Sequence, residues 1–319
     1  MKSRTRLGII ILLLCLVCVL GFTQTNLFQK PENPKTFQVQ NQLSLKLSSI
    51  LPAPLPLEEI VKHNYYTLSY NNQYEVANWV AYTLKPWMIS GNSKRKNDFR
   101  QDPLLHCGSA KTTDYDASHL DKGHLLPAGD MSFSELAISE TFFMSNMCPQ
   151  KPGFNRGIWK KLEDQVRGWA LLYNELQICS GPVMDKKNKT IGMNHIAIPT
   201  YFFKVILDVQ APEIKGIGFI MPNESSDMPI ENYAVSIDSV EHFTGINFFA
   251  AMPDSLENIL ESKMNLHDWN FNHYEHKKKS QQQDHLLESI QCKGYTKKGD
   301  RCKKMTKYTN GYCGQHGGN

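Results

Sequence analysis

The sequence Asp121-Lys122-Gly123-His124 opens the most informative segment of this 319-residue chain. Two further phrases follow it, Ser145-Asn146-Met147-Cys148-Pro149-Gln150 and Phe154-Asn155-Arg156-Gly157-Ile158-Trp159-Lys160-Lys161-Leu162-Glu163. From the last phrase onward, apolar side chains recur at near-helical spacing with charged side chains between them. The segment therefore places a histidine beside a cation, then an amide, and then an amphipathic helix.

These residue types, in this order, suit the cleavage of a phosphodiester. A histidine such as His124 can take a proton from water near neutral pH. The amide oxygen of an asparagine such as Asn146 is a good ligand for a hard cation. A nearby cation such as Lys122 can stabilise the charge of a pentacovalent phosphorus. An isolated histidine is more often a hydrogen-bonded structural residue than a catalyst. The interpretation of His124 as catalytic therefore depends on the residues around it.

That pattern resembles the signature of the DNA/RNA non-specific endonucleases, the endonuclease G-like members of the ββα-metal or His-Me finger nucleases. The usual tetrapeptide of that family is Asp-Arg-Gly-His, whereas this chain has Lys122 in the second place. Lysine keeps the charge but lacks the planar, bidentate guanidinium of arginine. The resemblance extends from about Tyr65 to Leu260 and includes a Tyr-rich hairpin pattern and Cys179-Ser180-Gly181-Pro182.

The resemblance implies an α+β fold with a central, mostly antiparallel sheet, packed helices and a ββα-metal finger at one edge. Local patterns agree with this expectation. Residues 65–70 and 74–84 are rich in aromatic and β-branched side chains and predict two strands around a turn. Apolar runs at 171–183, 196–207 and 216–221 are bounded by Pro and Gly and predict buried strands.

The resemblance also assigns roles within the finger. His124 is expected to be the general base at a strand end, and Asn146, near or on the following helix, the only direct protein ligand of Mg²⁺ or Mn²⁺. Glu163 corresponds to a carboxylate that holds a metal-bound water, although a solvated helix glutamate is the alternative. Asn155 is expected to position the finger, and Lys122 the phosphate.

Three arginines are candidates for binding the substrate backbone. Arg95 and Arg100 precede Pro103 in a charged run that could equally be a solvated loop, and Arg156 lies beside Asn155. Guanidinium groups match the geometry of phosphate oxygens, so contact with DNA or RNA is expected. The sequence leaves open any preference between the two nucleic acids, and also a homodimer.

Two other functions remain open on the sequence alone. A non-catalytic nucleic-acid-binding protein could retain the fold, although the intact His124 and Asn146 argue against it. A phosphodiesterase for a non-nucleic ester could retain the site. The uneven charge distribution leaves the second alternative open. Residues 208–261 carry 1 basic and 10 acidic residues, whereas residues 24–207 carry 20 basic and 16 acidic residues. The formal net charge of +4 hides this asymmetry.

The N-terminal residues 1–23 have the pattern of a targeting segment. Lys2, Arg4 and Arg6 precede an uncharged apolar run that ends near Gly21. We expect a cleaved signal peptide and an exported protein, periplasmic or extracellular, with a retained membrane anchor as the alternative. Residues 24–56 are polar and interrupted by prolines, which predicts a linker before a catalytic domain at 57–265.

The C-terminal part predicts a linker at 266–288 and a small module at 289–319. Cys292, Cys302, Cys313 and His316 follow a Cys-x9-Cys-x10-Cys-x2-His pattern, which resembles a small appendage found on otherwise unrelated proteins. So short a segment cannot fold on apolar burial alone, which favours structural Zn²⁺. In an oxidising compartment, a disulfide between two of these thiols is the alternative.

Overall fold

The computed structural model describes residues 51–185, 187–210, 214–271, 290–296, 299–306 and 312–316. The strands found in these ranges are β1 Glu58–Lys62, β2 Tyr66–Asn71, β3 Val76–Leu84, β4 Asp121–His124, β5 Met147–Gln150, β6 Leu176–Val183, β7 Thr190–Ile191, β8 Ile196–Ala197, β9 Tyr201–Asp208, β10 Lys215–Pro222, β11 Ala234–Val235, β12 Ile290–Gln291 and β13 Met305–Thr306. The helices are α1 Pro86–Ile89, α2 Glu135–Glu140, α3 Lys160–Tyr173, α4 Ile237–Thr244 and α5 Asp254–Ser262.

A seven-stranded sheet in the order β1-β2-β3-β6-β9-β10-β11 forms the centre of the molecule, and its neighbouring strands are antiparallel. Its register aligns Tyr82, Ile178 and Ile206 on three adjacent strands, where all three side chains are buried. β-branched and aromatic side chains suit this pleated interior. The α+β architecture with an antiparallel sheet is therefore confirmed.

Helix α3 packs on the sheet through a stripe of apolar side chains. Leu162, Val166 and Trp169 recur at helical spacing and are all buried. The ring centroid of Trp169 lies 6.2 Å from that of Phe219 in β10. The opposite face of the helix is left free to carry polar residues towards solvent.

Strands β4 and β5 form a separate two-stranded antiparallel sheet that precedes α3, which gives the ββα finger. Gly123 pairs with Cys148, and a Cβ at Gly123 would lie 2.0 Å from the side-chain oxygen of Gln150. Only glycine fits here without moving Gln150. The chain then enters α3 through a wide turn, Phe154–Trp159, which is broken by the non-helical backbone of Gly157.

The folded domain extends past residue 265, where a linker was predicted. Trp269 is buried, its ring centroid lies 4.7 Å from that of Trp169, and the carbonyl oxygen of Asn270 accepts hydrogen bonds from Trp169 and Gln165. A buried aromatic residue of this size stabilises the domain through its packing. Residues 266–271 are thus part of the domain rather than a linker.

The predicted targeting segment at 1–23 lies outside the described residues, as does most of the linker at 24–56. Within the ranges that the structure does describe, none of the helices has both the length and the apolar character needed to cross a bilayer.

Candidate active site

A cleft of about 580 Å³ opens over the finger. Its wall is formed by the loop before β4, by β4 and the segment that follows it, and by the turn and first half of α3. The lining residues are Ser93, Arg95, Lys122, His124, Pro127, Ala128, Gly129, Ser132, Ile138, Asn155, Arg156, Lys160, Glu163 and Arg167. The cleft therefore brings together His124, Lys122, Asn155 and Glu163, together with Arg95 and Arg156 of the predicted substrate-binding residues.

His124 ends strand β4 and is only 7% exposed. Its ring stands edge-on to Phe142, with centroids 4.8 Å apart, and its carbonyl oxygen accepts a hydrogen bond from the Trp159 indole. The ring nitrogen Nε2 is buried and makes no hydrogen bond with any described residue. Burial, assisted by the charge of Arg95, lowers the pKa of His124 to about 3. The imidazole is consequently neutral at physiological pH.

Asn155 lies in the wide turn before α3, and its amide is oriented by Asp121. Its Nδ2 donates a hydrogen bond to Asp121 Oδ2 at 2.8 Å, and no hydrogen bond to its Oδ1 is found among the described residues. Asp121 also accepts from Arg156, through Nε at 2.8 Å and Nη2 at 2.5 Å. Although burial opposes the shift, these hydrogen bonds hold the pKa of Asp121 below its usual value.

Glu163 projects into the cleft from the first turn of α3, one turn after Trp159. Burial raises the pKa of Glu163 to about 7, while the positive charges of Arg167 and Lys204 oppose that rise. Lys204 itself is fully buried, and its Nζ lies 4.7 Å from the centroid of the Trp159 ring. A carboxylate with a raised pKa gains stability from any further positive charge placed beside it.

Two cations of the cleft rest on aromatic rings. The guanidinium carbon of Arg95 lies 5.0 Å from the centroid of Phe142, the ring that also packs on His124. Lys122 Nζ lies 5.4 Å from the ring centroids of both Phe99 and Tyr115. Cation–π contacts of this kind position a charge without neutralising it.

Lys160 and Arg167 also line the cleft, although sequence reasoning did not select them. Both are paired: Lys160 Nζ lies 2.7 Å from Asp164, and Arg167 Nη1 lies 2.8 Å from the buried Asp130. The spacing along the chain could have identified them, because Arg156, Lys160, Glu163 and Arg167 would all lie on one face of a continuous helix.

Asn146 is not among the residues that line the cleft, which argues against the prediction that it is the metal ligand. It is fully buried in a short turn before β5, not on the following helix. Its Oδ1 accepts from the backbone N–H of Leu126 at 2.9 Å, and its Nδ2 donates to the carbonyl oxygens of Leu126 and Thr141. The amide of Asn146 therefore holds the loop after β4, and of the two asparagines only Asn155 is among the residues that line the cleft.

Arg100 is also absent from the cleft wall. Its guanidinium donates to the backbone carbonyl oxygens of Asp98 and Ser139 and to the Asp98 carboxylate, and its Cζ lies 4.2 Å from the Phe143 ring centroid. These contacts tie the loop before β4 to helix α2. The structure thus gives Arg100 a structural position and does not support its prediction as a phosphate-binding residue.

If the cleft has the nuclease activity that the sequence resemblance implies, Lys122→Ala should lower its turnover, because it removes one of the two cleft-lining cations that have no carboxylate partner among the described residues. Lys122→Arg should retain or increase turnover, since arginine keeps the charge and adds a bidentate fork. Steady-state rates on a DNA duplex measure both. Wild-type turnover in Lys122→Ala would show that this lysine has only a structural role.

The C-terminal residues form a second, independent cluster. Cys292, Cys302, Cys313 and His316 place one ligand atom each within 4.8 Å of all the others, and the three cysteines are buried. Cys292 Sγ accepts hydrogen bonds from the backbone N–H groups of Gly294 at 3.3 Å and Cys313 at 3.1 Å. Although burial opposes it, these bonds lower the pKa of Cys292 to about 6. Such thiolate stabilisation suits a metal ligand.

A two-stranded sheet, a following helix and a histidine at the strand end are the elements of the ββα-metal nuclease fold. The chain belongs to the DNA/RNA non-specific endonuclease family, whose sequence profile matches residues 52–255. The resemblance inferred from the tetrapeptide and its neighbouring phrases is thereby confirmed.

Similar proteins include nucleases of Homo sapiens and Saccharomyces cerevisiae. Mitochondrial endonuclease G of Homo sapiens is 34% identical over 207 residues, which cover 60% of this chain and 70% of the human protein. The mitochondrial nuclease of Saccharomyces cerevisiae is 32% identical over 237 residues, covering 66% and 72% respectively. The crystal structure of the EndoG/EndoGI complex matches with a TM-score of 0.60 and 32% identity, over 67% of this chain and 93% of the other.

These relatives correct the prediction of an exported protein. The human and yeast nucleases are both named as mitochondrial proteins. A basic, apolar N-terminal segment is therefore insufficient evidence for export in this family, and the prediction of a periplasmic or extracellular location is wrong.

Proposed function

We propose that this chain is an endonuclease that hydrolyses phosphodiester bonds of DNA and RNA with a divalent cation, with His124 as the general base. The observation that carries the proposal is a neutral histidine whose side chain lines a cleft together with several cations. A neutral imidazole can accept a proton from water, and a water-poor surrounding strengthens the interactions made there. Family membership and the nuclease names of the relatives support the substrate class.

The residues of the cleft fit a hard divalent cation. Asn155 offers an amide oxygen without a hydrogen-bond partner among the described residues, and Glu163 offers a carboxylate whose raised pKa would be relieved by a cation. Mg²⁺ prefers oxygen ligands and keeps several waters, so few protein ligands suffice. When bound, the ion would supply Lewis-acid polarisation and charge stabilisation at the phosphate.

The protein residues then divide the remaining work. The His124 imidazole, which lines the cleft, takes the proton of the attacking water, and Trp159 donates a hydrogen bond to the His124 carbonyl oxygen that fixes the backbone there. Asp121 keeps the Asn155 amide in one orientation through the 2.8 Å hydrogen bond. Arg95 and Lys122 supply positive charge where the phosphate develops negative charge.

A nicking assay on supercoiled plasmid, run with Mg²⁺ and with a chelator, tests the proposal. Parallel reactions on single-stranded RNA and on a small diester separate a nuclease from a general phosphodiesterase. Cleavage of both nucleic acids, abolished by chelator and by His124→Ala, is the expected result. Binding of DNA without cleavage under any metal would instead establish a non-catalytic nucleic-acid-binding protein.

We further propose that the C-terminal cluster binds structural Zn²⁺. Three thiols and an imidazole at mutual ligand distances match the tetrahedral preference of zinc, and the binding energy would fold the module. From residue 277 onward the chain carries 10 basic and 3 acidic residues. This charge suits a module that retains a polyanion near the catalytic domain.

The purified full chain should contain about one equivalent of zinc, because structural sites of this kind are normally filled. Truncation after Gln283 should remove the zinc, leave cleavage of short oligonucleotides unchanged, and weaken binding to long DNA at low salt. Elemental analysis and gel-shift titration measure these effects, with Cys107→Ser, an exposed cysteine outside the cluster, as the matched control. A metal-free module with a disulfide in the purified protein would contradict the zinc proposal.

A further inference from the structure

Helices α4 and α5 bring together three carboxylates in the acidic part of the chain, away from the residues that line the cleft. Asp238 and Glu241 lie on α4 and Glu261 lies near the end of α5. One carboxylate oxygen of each lies within 4.8 Å of those of the other two. None of the ion pairs found among the described residues includes any of the three.

Glu261 provides a second, independent observation. Its side chain is only 4% exposed, and its Oε1 is buried without any hydrogen-bond partner in the described structure. Burial, with the negative charges of Glu241, Glu257 and Asp238, raises the pKa of Glu261 to about 8. An unpaired carboxylate buried beside other carboxylates is destabilising unless a proton or a cation joins it.

The helices are held firmly enough to keep these groups together. A Cβ on Gly216 of β10 would lie 2.5 Å from Ile237 of α4 and 3.1 Å from the carbonyl oxygen of Leu260 in α5. Both helices therefore pack closely on the same strand. Glu241 is further fixed because its Oε1 accepts a hydrogen bond from the backbone N–H of Phe248 at 2.6 Å.

The chemistry of the ligands favours Ca²⁺ over Mg²⁺. Three carboxylate oxygens that lie within 4.8 Å of one another can all reach one Ca²⁺, which binds oxygens at about 2.3–2.6 Å. Mg²⁺ demands near-ideal octahedral geometry and usually keeps several waters, with only one or two carboxylates as ligands. Ca²⁺ also accepts several carboxylates and irregular geometry, which a site shared by two helices provides.

We propose that Asp238, Glu241 and Glu261 form a Ca²⁺ site that joins α4 to α5 and stabilises this side of the domain. The bound ion neutralises the buried Glu261 and removes the repulsion among the three carboxylates. The site shares no residue with the cleft, so it is structural and does not depend on the proposed nuclease reaction. The site accounts for three of the acidic residues that are in excess in residues 208–261.

Calorimetric titration of the full-length, zinc-loaded protein with Ca²⁺ tests the site, with millimolar Mg²⁺ present throughout to occupy the active site. Uptake of one Ca²⁺ per chain is expected. Thermal unfolding in the same buffer should shift upward by about 5 to 10 °C when Ca²⁺ reaches roughly a hundred times its Kd. No detectable Ca²⁺ uptake by the wild-type protein would overturn the proposal.

Glu261→Gln should abolish both the Ca²⁺ uptake and the thermal shift. Without Ca²⁺ it should unfold at a higher temperature than the wild type, because glutamine is not an acidic group whose burial beside other carboxylates opposes folding. Asp238→Asn, at an exposed position that cannot prevent folding, should weaken binding at least tenfold. Asp227→Asn, which removes an exposed carboxylate outside both the cluster and the cleft lining, is the control and should bind Ca²⁺ like the wild type. Wild-type Ca²⁺ affinity in both Glu261→Gln and Asp238→Asn would also refute the site.

Discussion

His124→Ala should lower the turnover of DNA cleavage by about 10² to 10⁴-fold, because a positioned general base contributes about that much to the rate. The affinity for DNA should change little, since the neutral imidazole carries no charge for the phosphates. The alanine also leaves a space beside Phe142, so rates must be compared well below the unfolding temperature. Single-turnover cleavage of a labelled duplex separates the chemical step from binding.

The matched control is His106→Ala, which removes an exposed histidine that pairs with Glu59; neither residue is among those that line the cleft. That variant should cleave like the wild type. Addition of imidazole to His124→Ala should restore part of the activity if the missing group is a base. Near-normal cleavage by His124→Ala would overturn the mechanism.

Asn155→Ala and Asn146→Ala should have opposite consequences. Asn155→Ala should move the Mg²⁺ activation curve to at least 10- to 100-fold higher concentration, since even indirect partners of metal sites cost that much. Asn146→Ala should leave the curve in place but destabilise the fold, because the backbone groups of Leu126 and Thr141 lose buried hydrogen bonds worth about 1–3 kcal/mol each. Activity titrations with Mg²⁺ and urea unfolding measure the two effects.

Asn155→Asp provides a conservative companion, because it keeps an oxygen ligand and adds a charge that Mg²⁺ accepts. It should retain more activity than Asn155→Ala, although its repulsion from Asp121 should limit the recovery. If instead Asn146→Ala displaces the metal curve and Asn155→Ala leaves it unchanged, the ligand is Asn146.

Local sequence patterns were sufficient to predict the strands of the sheet and the place of His124 at a strand end. The strand at Val76–Leu84 combines β-branched and aromatic residues, and a strand forms there because these side chains fill a buried pleated surface. His124 was identifiable because its tetrapeptide occurs within a longer ordered set of phrases, and the structure places it at a strand end in the cleft.

Long-range packing decided what local pattern could not. Asn146 and Asn155 both precede a helical pattern, and only the contacts of Asn146 with Leu126, twenty positions away, show that its amide is already in use. The same holds for Trp269, which follows polar residues yet packs on Trp169, a hundred positions earlier in the chain. The composition around a residue indicates whether that part of the chain prefers solvent. It does not show which distant segment will pack against the residue.

The carboxylates paired with the cleft cations also affect how strongly binding to DNA depends on salt concentration. Arg156, Lys160 and Arg167 already have acidic partners, whereas the part of the chain that the structure describes provides none for Arg95 and Lys122. Each phosphate neutralised on duplex DNA releases about 0.9 of a condensed counterion. Two cations without acidic partners would therefore release only about two counterions. The entropy gained from that release is small, and the catalytic domain alone would dissociate readily between cuts. Rapid exchange among many sites suits an enzyme that has no sequence to find.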